Sequence, residues 1–399
     1  MSYKILLLEN IHPCARQALV EEGFKVDFEK SALSEHQLLD ILPKYDVVGI
    51  RSKTQVTAAV FEKNPHLLAL GAFCIGTNQV ELESANRVGI PVFNAPYSNT
   101  RSVAELVIAE MVGLSRQLGD VSMAAHRGDW MKSAKGAHEI RGKTVGIVGY
   151  GHIGSQVSVL AEALGLRVVF YDIVKKLPLG NARSMDTLDE LLKSSDFVTL
   201  HVPETPLTRD MMGIEQLEKM RRGAFLINAS RGTVVDIPAL ANYLKSGHLA
   251  GAAIDVFPHE PKNNEEKFVS ELQSVPNVIL TPHIGGSTEE AQEAIGREVA
   301  LSLTLFLKFG VTLGSVNFPQ INVPPKSSGK RLLNVHRNVP GVMSQINSLV
   351  SAASLNISAQ YLSTDSHVGY VVMDIEDGPA QQVADQVKQL GTSIKTRLV

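Results

Sequence analysis

The sequence predicts an α/β protein of three domains, in which parallel strands alternate with helices and a smaller unit forms the C-terminal part. Three observations support this fold class. First, residues 143–172 follow the order strand, glycine-rich turn, helix and strand. Second, apolar β-rich runs recur on both sides of this segment. Third, residues 331–399 follow a βαββαβ order. A chain of 399 residues, 44% hydrophobic and 20% charged, is long and apolar enough for two or three domains.

The glycine-rich turn indicates a nucleotide-binding site. An apolar run at 145–149 leads into Gly-Tyr-Gly-His-Ile-Gly at 149–154, and apolar residues at helical spacing continue to Gly165. The first glycine of such a turn allows the bend, the second lets a pyrophosphate approach the backbone, and the third lets helix and strand pack closely. Asp172, which ends the next strand, can accept hydrogen bonds from a ribose and would repel a 2′-phosphate. The segment therefore predicts binding of NAD rather than NADP.

Polar residues follow the later strands of the same sheet. Apolar runs at 197–203, 224–230, 251–257 and 277–283 bring the predicted strands of this sheet to six, a doubly wound (Rossmann) arrangement. Ligands of parallel sheets bind at the carboxyl ends of strands. The residues at these ends are Asp172, His201 to Pro203, Ser230, Arg231, Asp255 and His283. We therefore expect them to line one crevice.

The N-terminal residues predict a second parallel α/β domain, flavodoxin-like and without a glycine fingerprint. Ser34 is expected to cap a helix, and strands are expected at 4–9, 25–28, 47–54, 69–80 and 90–96. A long helix at 100–116 enters the nucleotide domain, and another at 288–309 returns from it. The expected organisation is a discontinuous substrate-binding domain (1–97 and 285–318), an NAD-binding domain (98–284), a linker (319–330) and a ferredoxin-like tail (331–399).

Charge and cysteine content exclude several classes of function. The formal net charge of −3, without a long basic block, gives no electrostatic support for a nucleic-acid or anionic-membrane surface. Cys14 and Cys74 lie far apart and lack a metal-ligand spacing, so we expect neither a disulfide framework nor a metal site. No segment is apolar over the length of a membrane span or a signal peptide. These features predict a cytoplasmic protein that acts on a small molecule.

Three side chains near strand ends are candidates for acid–base chemistry. Arg231 follows a strand and precedes a glycine, so its guanidinium can reach a carboxylate or polarise a carbonyl. Glu260 lies between Pro258 and Pro261 in a stiff loop, and His283 ends the last strand. Taken singly, each residue is better explained by a role outside catalysis: Arg231 as a surface arginine, Glu260 as a solvated glutamate and His283 as a structural histidine. Their joint occurrence at the ends of successive strands favours a catalytic group.

The motifs GYGHIG, NASRGTVVD, DVFPHEP and TPHIGGSTEEAQ resemble the D-isomer-specific 2-hydroxyacid dehydrogenase family, and the resemblance covers most of the chain. It implies that His283 moves the hydroxyl proton, that Glu260 orients its imidazole, and that Arg231 holds the substrate carboxylate. It also implies that NAD is bound by Gly149, Gly151, His152, Ile153, Gly154, Asp172, Ala229, Ser230, Arg231, Asp255, His283, Gly285 and Gly286.

Three further segments, RSKTQV, FCIGTNQV and FNAPYSNTRSVAEL, resemble the members of this family that oxidise 3-phospho-D-glycerate to 3-phosphohydroxypyruvate for L-serine synthesis. This resemblance implies substrate contacts by Arg51, Ser52, Lys53, Gly76, Asn99, Arg101 and Lys132. Relatives often have arginine at the position of Lys53, so lysine keeps the charge but loses the bidentate geometry. The alternatives are another D-2-hydroxyacid dehydrogenase, acting on glycerate or 2-hydroxyglutarate, and an NAD-sensing scaffold without enzymatic activity.

The tail resembles an ACT domain, a module that binds amino acids at paired interfaces. The turn His336-Arg337-Asn338-Val339-Pro340-Gly341, followed by a helix, carries this resemblance. It implies L-serine as an allosteric effector, held by His336, Asn338 and Asn356, and a homotetramer in which nucleotide domains and tails make separate contacts. A plain dimerisation domain would explain the same βαββαβ order.

Overall fold

The computed structural model describes residues 3–261, 265–324, 329–376 and 378–399. The chain divides into two compact units, Met1–Ser98 with Gln292–Val399, and Asn99–Ala291. Residues 325–328 of the predicted linker lie outside the described residues. Among the described residues, the first unit contains two separate sheets and the second contains one.

The N-terminal sheet of the first unit is parallel. Its strands are β1 (Lys4–Leu7), β2 (Lys25–Phe28), β3 (Val47–Ile50), β4 (Ala69–Ala72) and β5 (Val92–Phe93). They follow the order β2-β1-β3-β4-β5, which is the predicted flavodoxin-like order. Strands β3 and β4 are shorter than expected from the sequence, because residues 51–54 and 73–80 leave the sheet as loops at its carboxyl edge.

Short helices connect these strands. They are α1 (Pro13–Glu21), α2 (Glu35–Ile41), α3 (Ala58–Lys63) and α4 (Leu82–Arg87), with a 3-10 turn at Leu42–Lys44. Helix α2 begins at a capping box, in which Ser34 Oγ accepts from Gln37 N and the Gln37 side chain accepts from Ser34 N at 2.9 Å. The predicted cap at Ser34 is therefore confirmed.

The sheet of the second unit has seven parallel strands in the described part of the chain. They are β6 (Thr144–Val148), β7 (Arg167–Tyr171), β8 (Arg183–Ser184), β9 (Phe197–Leu200), β10 (Phe225–Asn228), β11 (Gly251–Ile254) and β12 (Val278–Leu280). Their order, β12-β11-β10-β9-β6-β7-β8, is the doubly wound order with one added strand. The prediction of six strands is wrong, because β8 consists of two exposed polar residues at the sheet edge and leaves no apolar run to detect.

The helices of the second unit begin with the predicted long helix. They are α5 (Thr100–Ser115), α6 (Leu118–His126), α7 (His152–Ala163), α8 (Leu188–Ser194), α9 (Ile214–Lys219) and α10 (Ile237–Lys245), with a 3-10 turn at Gly232–Val234. Gln117, in the left-handed region at φ 51°, separates α5 from α6. Helix α6 has no counterpart in the sequence prediction.

The C-terminal part of the first unit consists of a long helix and an antiparallel sheet. Its elements are α11 (Glu289–Phe309), β13 (Lys330–Arg337), α12 (Val342–Ala352), β14 (Ile357–Thr364), β15 (Val368–Ile375), α13 (Ala380–Lys388) and β16 (Ser393–Leu398). The strand order β14-β15-β13-β16 confirms the ferredoxin-like prediction.

The tail sheet binds the C-terminal end of α11. Arg331 Nη1 donates to the carbonyl of Phe309 at 3.1 Å, and Tyr370 Oη donates to the carbonyl of Gly310 at 2.8 Å. Arg331 is almost fully buried and also pairs with Asp374 at 2.6 Å. These bonds satisfy carbonyls that a helix end leaves without an intrahelical partner.

Apolar side chains cover both faces of the two parallel sheets and most of the tail sheet, where every second residue of β14 is exposed. Two apolar clusters pack against the N-terminal sheet, two against the seven-stranded sheet and two against the tail sheet. This burial explains why the parallel strands are almost continuously apolar in sequence. No helix within the described ranges is long and apolar enough to cross a membrane.

Candidate active site

The three candidate catalytic residues follow neighbouring strands of the second unit. Strands β10, β11 and β12 lie side by side and run parallel, and Arg231, Glu260 and His283 follow their carboxyl ends in that order. Because parallel neighbours present their carboxyl ends at one edge, the three loops meet there.

His283 and Glu260 form a hydrogen-bonded pair. His283 Nδ1 lies 2.9 Å from Glu260 Oε2 and 3.1 Å from Oε1. The hydrogen bond to Glu260 raises the pKa of His283, and the charges of Glu260 and Asp255 add to this effect against burial. Burial would raise the pKa of Glu260, but the hydrogen bond and charge of His283 outweigh it and lower this pKa. The pair thus favours a carboxylate beside an imidazole whose Nε2 can exchange a proton.

Arg231 lies close enough to this pair for its charge to act on both members. Its positive charge lowers the pKa of both Glu260 and His283 as a smaller contribution. A Cβ on the next residue, Gly232, would lie 2.0 Å from the carbonyl carbon of Phe257, so only glycine lets this turn approach the loop of Glu260. The guanidinium folds back to donate from Nη1 to the carbonyl of Ser230 at 2.7 Å.

Two buried polar side chains fix the loops that carry these groups. Asn228, at the end of β10, accepts from Ser230 N at 3.1 Å and donates to the carbonyl of Arg231 at 3.0 Å. Asp255, which is 1% exposed, accepts from Thr281 Oγ1 at 2.7 Å and from the N–H groups of Ile284 and Gly285 at 2.8 Å each. The loop on both sides of His283 is therefore bound to Asp255.

The glycine-rich turn has the geometry that the sequence predicts. Gly149 adopts φ 91°, and a Cβ on Gly154 would lie 2.1 Å from the carbonyl oxygen of Gly149. In contrast, a Cβ on Gly151 would meet no atom within 4 Å. The first and third glycines are thus required by the protein itself, whereas the second borders open space at the N-terminus of α7, where an anion is stabilised.

Asp172 lies beside this turn. Its Oδ2 accepts from Tyr150 N at 2.8 Å and its Oδ1 from Val174 N at 2.9 Å. Each carboxylate oxygen has a second lone pair, so the side chain can still accept from ribose hydroxyls. Open space at the second glycine, a helix N-terminus and an acceptor at the end of β7 together fit the pyrophosphate and adenosine ribose of a dinucleotide.

The predicted phosphate-binding side chains lie in the first unit, in the loop after β3. Ser52 and Lys53 are exposed and Arg51 is partly exposed. Gln79 Nε2 donates to the carbonyl of Arg51 at 2.6 Å and lies 3.5 Å from that of Gly76. The structure therefore brings the loops after β3 and β4 together.

The other predicted substrate contacts belong to the second unit and do not form one group. Asn99 precedes α5 and packs against Gly286, on which a Cβ would lie 2.7 Å from Asn99 Nδ2. Arg101 pairs with Glu105 at 2.5 Å. Lys132 is exposed in a segment without helix or strand, and no hydrogen bond joins its side chain to the residues that the structure describes.

His336 of the predicted effector site is buried in the tail sheet. It is 3% exposed and its Nδ1 lies 3.0 Å from Asn334 Oδ1. Burial lowers its pKa. A Cβ on Gly369, the facing residue of β15, would lie 2.3 Å from His336 Nε2, so this glycine makes room for the ring.

Asn338 and Asn356 lie at opposite ends of the tail sheet within one chain. Asn338 donates to the carbonyl of Asp365 at 2.7 Å, at the turn before β15, whereas Asn356 donates to Glu376 Oε1 at 3.0 Å, beyond its other end. Strand β15 has eight residues, which at about 3.3 Å each separates its ends by about 23 Å. Asn356 lines a surface hollow of about 430 Å³. One chain therefore does not bring these two side chains together.

Several polar residues around the site are absent from the sequence prediction. Asn228 and Thr281 bind the loops of the candidate residues, and polar residues within or next to buried strands are a signal that could have identified them. Glu110 on α5 is 3% exposed, and burial together with the charge of Asp255 raises its pKa to about 8. His201, which the sequence does place at a strand end, follows β9, and burial lowers its pKa to about 3. Helical and strand periodicity alone would place Glu110 in an ordinary core position.

Two family models match the chain. The model described as D-isomer specific 2-hydroxyacid dehydrogenase, NAD binding domain, matches residues 108–285. The model described as AHAS small subunit-like ACT domain matches residues 332–395. The first match contains the glycine-rich turn and all three candidate catalytic residues.

Relatives match over nearly the whole length. Proteins named D-3-phosphoglycerate dehydrogenase from Dictyostelium discoideum and Escherichia coli (strain K12) are each 51% identical, over 99% of this chain and 97% of their own. The one named D-3-phosphoglycerate dehydrogenase 1 from Saccharomyces cerevisiae is 50% identical, over 99% of this chain and 87% of its own.

Solved structures match between three quarters and four fifths of the chain. The D-2-hydroxyisocaproate dehydrogenase structure superimposes with a TM-score of 0.72 at 27% identity, covering 79% of this chain and 99% of its own. The D-lactate dehydrogenase of Aquifex aeolicus, complexed with NAD and lactic acid, gives a TM-score of 0.67 at 28% identity, covering 77% and 96%. The chain therefore belongs to the D-isomer-specific 2-hydroxyacid dehydrogenase family and is an NAD-dependent oxidoreductase with an ACT-like tail.

Proposed function

We propose that this enzyme oxidises 3-phospho-D-glycerate to 3-phosphohydroxypyruvate, the first step of L-serine synthesis. The observation that carries the choice of substrate is the 51% identity, over nearly the full length, to relatives named D-3-phosphoglycerate dehydrogenase. The paired His283 and Glu260, with Arg231 beside them, support the chemistry of the reaction.

His283 acts as the base of the oxidation. Its Nδ1 is bound to Glu260, which leaves Nε2 to take the hydroxyl proton while the hydrogen on the same carbon leaves as hydride. NAD, when bound, supplies the hydride acceptor. In the reverse direction the imidazolium returns the proton to the carbonyl oxygen of the 2-oxo acid.

Glu260 and Arg231 orient the reacting groups. The Glu260 carboxylate fixes the tautomer of His283 that carries its proton on Nδ1, and it stabilises the imidazolium formed during oxidation. The Arg231 guanidinium binds the substrate carboxylate, for which its planar donor geometry is suited. Its positive charge also favours the oxyanion character of the carbonyl in reduction.

NAD is held by the glycine-rich turn and by the loops after the later strands. Gly151 admits the pyrophosphate, and Asp172 accepts from the adenosine ribose. The other proposed contacts of the cofactor are Gly149, His152, Ile153, Gly154, Ala229, Ser230, Arg231, Asp255, His283, Gly285 and Gly286.

The substrate phosphate is bound by the loop after β3. Arg51 and Lys53 supply positive charge and Ser52 a hydroxyl donor, while Gly76 lies in the adjoining loop. Asn99, Arg101 and Lys132 are proposed as further contacts, of which Arg101 would exchange its ion pair with Glu105 for the substrate.

The substrate is tested by following NADH oxidation with phosphohydroxypyruvate, hydroxypyruvate and 2-oxoglutarate in parallel. We expect the highest kcat/KM with phosphohydroxypyruvate, and Arg51→Ala should lower this value while leaving that for hydroxypyruvate unchanged. Equal values for phosphohydroxypyruvate and hydroxypyruvate would contradict the proposed substrate. Binding of NADH without reduction of any of these acids would favour a non-enzymatic scaffold.

The tail is proposed to bind L-serine between two copies of the chain. Because Asn338 and Asn356 lie at opposite ends of β15, a strand about 23 Å long, the proposed site pairs the His336 and Asn338 end of one tail with the Asn356 end of another. Serine should inhibit the full chain, and Asn356→Ala should weaken the inhibition without changing kcat. Undiminished inhibition after deletion of residues 329–399 would place the effector site elsewhere.

The domain division predicted from the sequence is retained as a proposal, with its substrate-binding, NAD-binding, linker and tail segments. The two family matches, 108–285 and 332–395, support it, because they fall almost within the proposed NAD-binding domain and within the tail. A homotetramer in the cytoplasm completes the proposal, and the free thiols of Cys14 and Cys74 suit a reducing compartment. Light scattering after size-exclusion chromatography tests the tetramer.

A further inference from the structure

The loop that carries Arg51 and Lys53 is bound through its backbone to one buried carboxylate. Glu9 Oε1 accepts from Arg51 N at 3.1 Å and from Thr54 N at 2.8 Å, and Glu9 Oε2 accepts from Lys53 N at 2.9 Å. Glu9 is 7% exposed. Three N–H groups of a four-residue loop thus converge on a single side chain.

The position of Glu9 follows from the order of the strands. Glu9 lies just after β1, and β1 is the direct neighbour of β3 in the sheet, so the two carboxyl ends adjoin. Glu9 and the next residue, Asn10, both adopt left-handed backbone conformations, at φ 59° and 51°. Such conformations are unfavourable for residues other than glycine and persist where surrounding contacts hold them. The N–H of Glu9 donates to the carbonyl of Ser31 at 3.2 Å, which is one such contact.

The carbonyl of Arg51 is bound as well. Gln79 Nε2 donates to it at 2.6 Å, and Cys74 Sγ lies 3.7 Å from it. Both backbone groups of Arg51 therefore have protein partners. In contrast, no hydrogen bond or ion pair joins the side chain of Arg51 or Lys53 to a residue within the described ranges, so the backbone is fixed and the cationic side chains are available.

Converging backbone N–H groups form a common site for phosphate groups. In this loop the carboxylate of Glu9 already occupies the N–H groups of Arg51, Lys53 and Thr54, so we expect a bound phosphate to be held mainly by the side chains of Arg51, Ser52 and Lys53. We propose that Glu9 is a positioning residue that sets where these side chains project, and thereby sets the preference of the enzyme for phosphorylated substrates. This inference rests on the proposed function, in which this loop binds the substrate phosphate.

The test compares Glu9→Gln with the unsubstituted enzyme on phosphohydroxypyruvate and hydroxypyruvate. The side chain of glutamine ends in one oxygen, which accepts, and one NH2 group, which donates. One N–H of the loop therefore faces this NH2 group, and the loop shifts. We expect KM for phosphohydroxypyruvate to rise about tenfold, the factor that corresponds to one lost hydrogen bond between a side chain of this loop and the charged phosphate. The kcat for both substrates, KM for hydroxypyruvate and KM for NADH should stay within about twofold of those of the unsubstituted enzyme, below the effect of one lost hydrogen bond.

Glu29→Gln is the matched control. Glu29 follows β2 in the same sheet and accepts from the N–H of Ser31 at 3.1 Å, a bond that the amide oxygen of glutamine can keep, and none of its bonds to the described residues reaches the loop after β3. This variant should leave the ratio of kcat/KM between the two substrates unchanged. An equal loss on both substrates in Glu9→Gln would assign Glu9 a merely structural role and overturn the proposal.

Arg51→Ala separates this inference from the proposed function. If Arg51→Ala lowers the preference for phosphohydroxypyruvate and Glu9→Gln does not, the positioning role is wrong while the phosphate site stands. If neither variant changes the preference, the phosphate site itself is wrong. In the double variant, the two losses should be less than additive, because both act through the same side chain.

Glu9→Asp provides a second variant if the amide variant does not fold. Its carboxylate keeps the charge but is one methylene shorter, so it cannot reach all three N–H groups. We expect a smaller rise in KM for phosphohydroxypyruvate than in Glu9→Gln, with unchanged kcat. An aspartate variant with an unaltered substrate preference would contradict the proposal.

Discussion

The hydrogen bond between His283 and Glu260 allows a quantitative test by Glu260→Gln. The substitution removes the negative charge but keeps an oxygen that can accept from His283 Nδ1, 2.9 Å away, or from the N–H of Phe257, 3.1 Å away. A hydrogen bond to a charged group contributes about 1.5–3 kcal/mol and a neutral one about 0.5–1.5 kcal/mol, so the loss is about 1–1.5 kcal/mol. Because the proposed mechanism forms the imidazolium during oxidation, this loss should lower kcat about five- to thirteenfold.

The pH dependence tests the direction in which the pKa of His283 changes in Glu260→Gln, whatever the size of the loss in kcat. Glu260 raises the pKa of His283, so its removal should let that pKa fall. In the proposed mechanism, oxidation requires the neutral imidazole, and its activity is lost as pH falls through this pKa. Reduction requires the imidazolium, and its activity is lost as pH rises through it. Both limbs should therefore move to lower pH in the variant, and reduction at alkaline pH should lose most.

The assay measures kcat against pH in both directions with saturating cofactor. Asp40→Asn is the matched control, since it removes a carboxylate that lies 3.1 Å from the ring of an exposed histidine, His36, in the first unit. Its profiles should match those of the unsubstituted enzyme. Unmoved limbs in Glu260→Gln, with kcat unchanged, would show that this pair does not carry the proton.

Three further predictions concern stability and cofactor binding. Arg331→Met leaves Asp374 buried without its partner and should lower the free energy of unfolding in urea by about 3–5 kcal/mol, whereas adding Asp374→Leu should recover much of it. Glu110, whose pKa is raised to about 8, keeps its proton in the folded state but loses it on unfolding above its ordinary pKa, so rising pH destabilises the fold. Glu110→Gln should thus unfold at a higher temperature than the unsubstituted protein at pH 8 but not at pH 4. An equal difference in unfolding temperature at the two pH values would contradict this. Gly154→Ala should reduce stability by about 1–3 kcal/mol through its clash, while Gly151→Ala should retain stability and weaken NADH binding in a fluorescence titration.

The sequence predicts most strands and helices because their apolar periodicities are strong. The ferredoxin-like tail and the flavodoxin-like sheet are examples, since most strands there are apolar runs or alternate apolar with polar residues, as β14 does. Strand β8 escapes prediction because its two residues, Arg183 and Ser184, gain their strand geometry from pairing with β7. Helix α6 is missed because the sequence does not reveal that Gln117 adopts a left-handed backbone conformation, which separates α6 from α5.

The sequence predicts that the loops of the candidate residues meet at one edge of the sheet, but it does not predict the side chains that hold those loops. The strand ends identify Arg231, Glu260 and His283 because parallel topology brings them together. The separation of Asn338 and Asn356 also follows from topology: one ends the first strand of the tail, the other begins the second, and these strands run parallel. The resemblance to an ACT domain implies that both residues contact the effector, but only the sheet places them at opposite ends.

Sequence reasoning distinguishes poorly between a buried carboxylate that binds a loop and one that contacts a ligand. Asp255 follows β11 and Glu9 follows β1, where an acidic residue suggests a ligand, yet each accepts three protein donors from the loop after another strand. Backbone N–H groups in such loops need acceptors once buried, and a carboxylate can satisfy several of them at once. The loops holding His283 and Arg51 can therefore present these side chains from a fixed backbone, and a loss of function on replacing either acid must be separated from a loss of ligand contact by comparing KM with kcat.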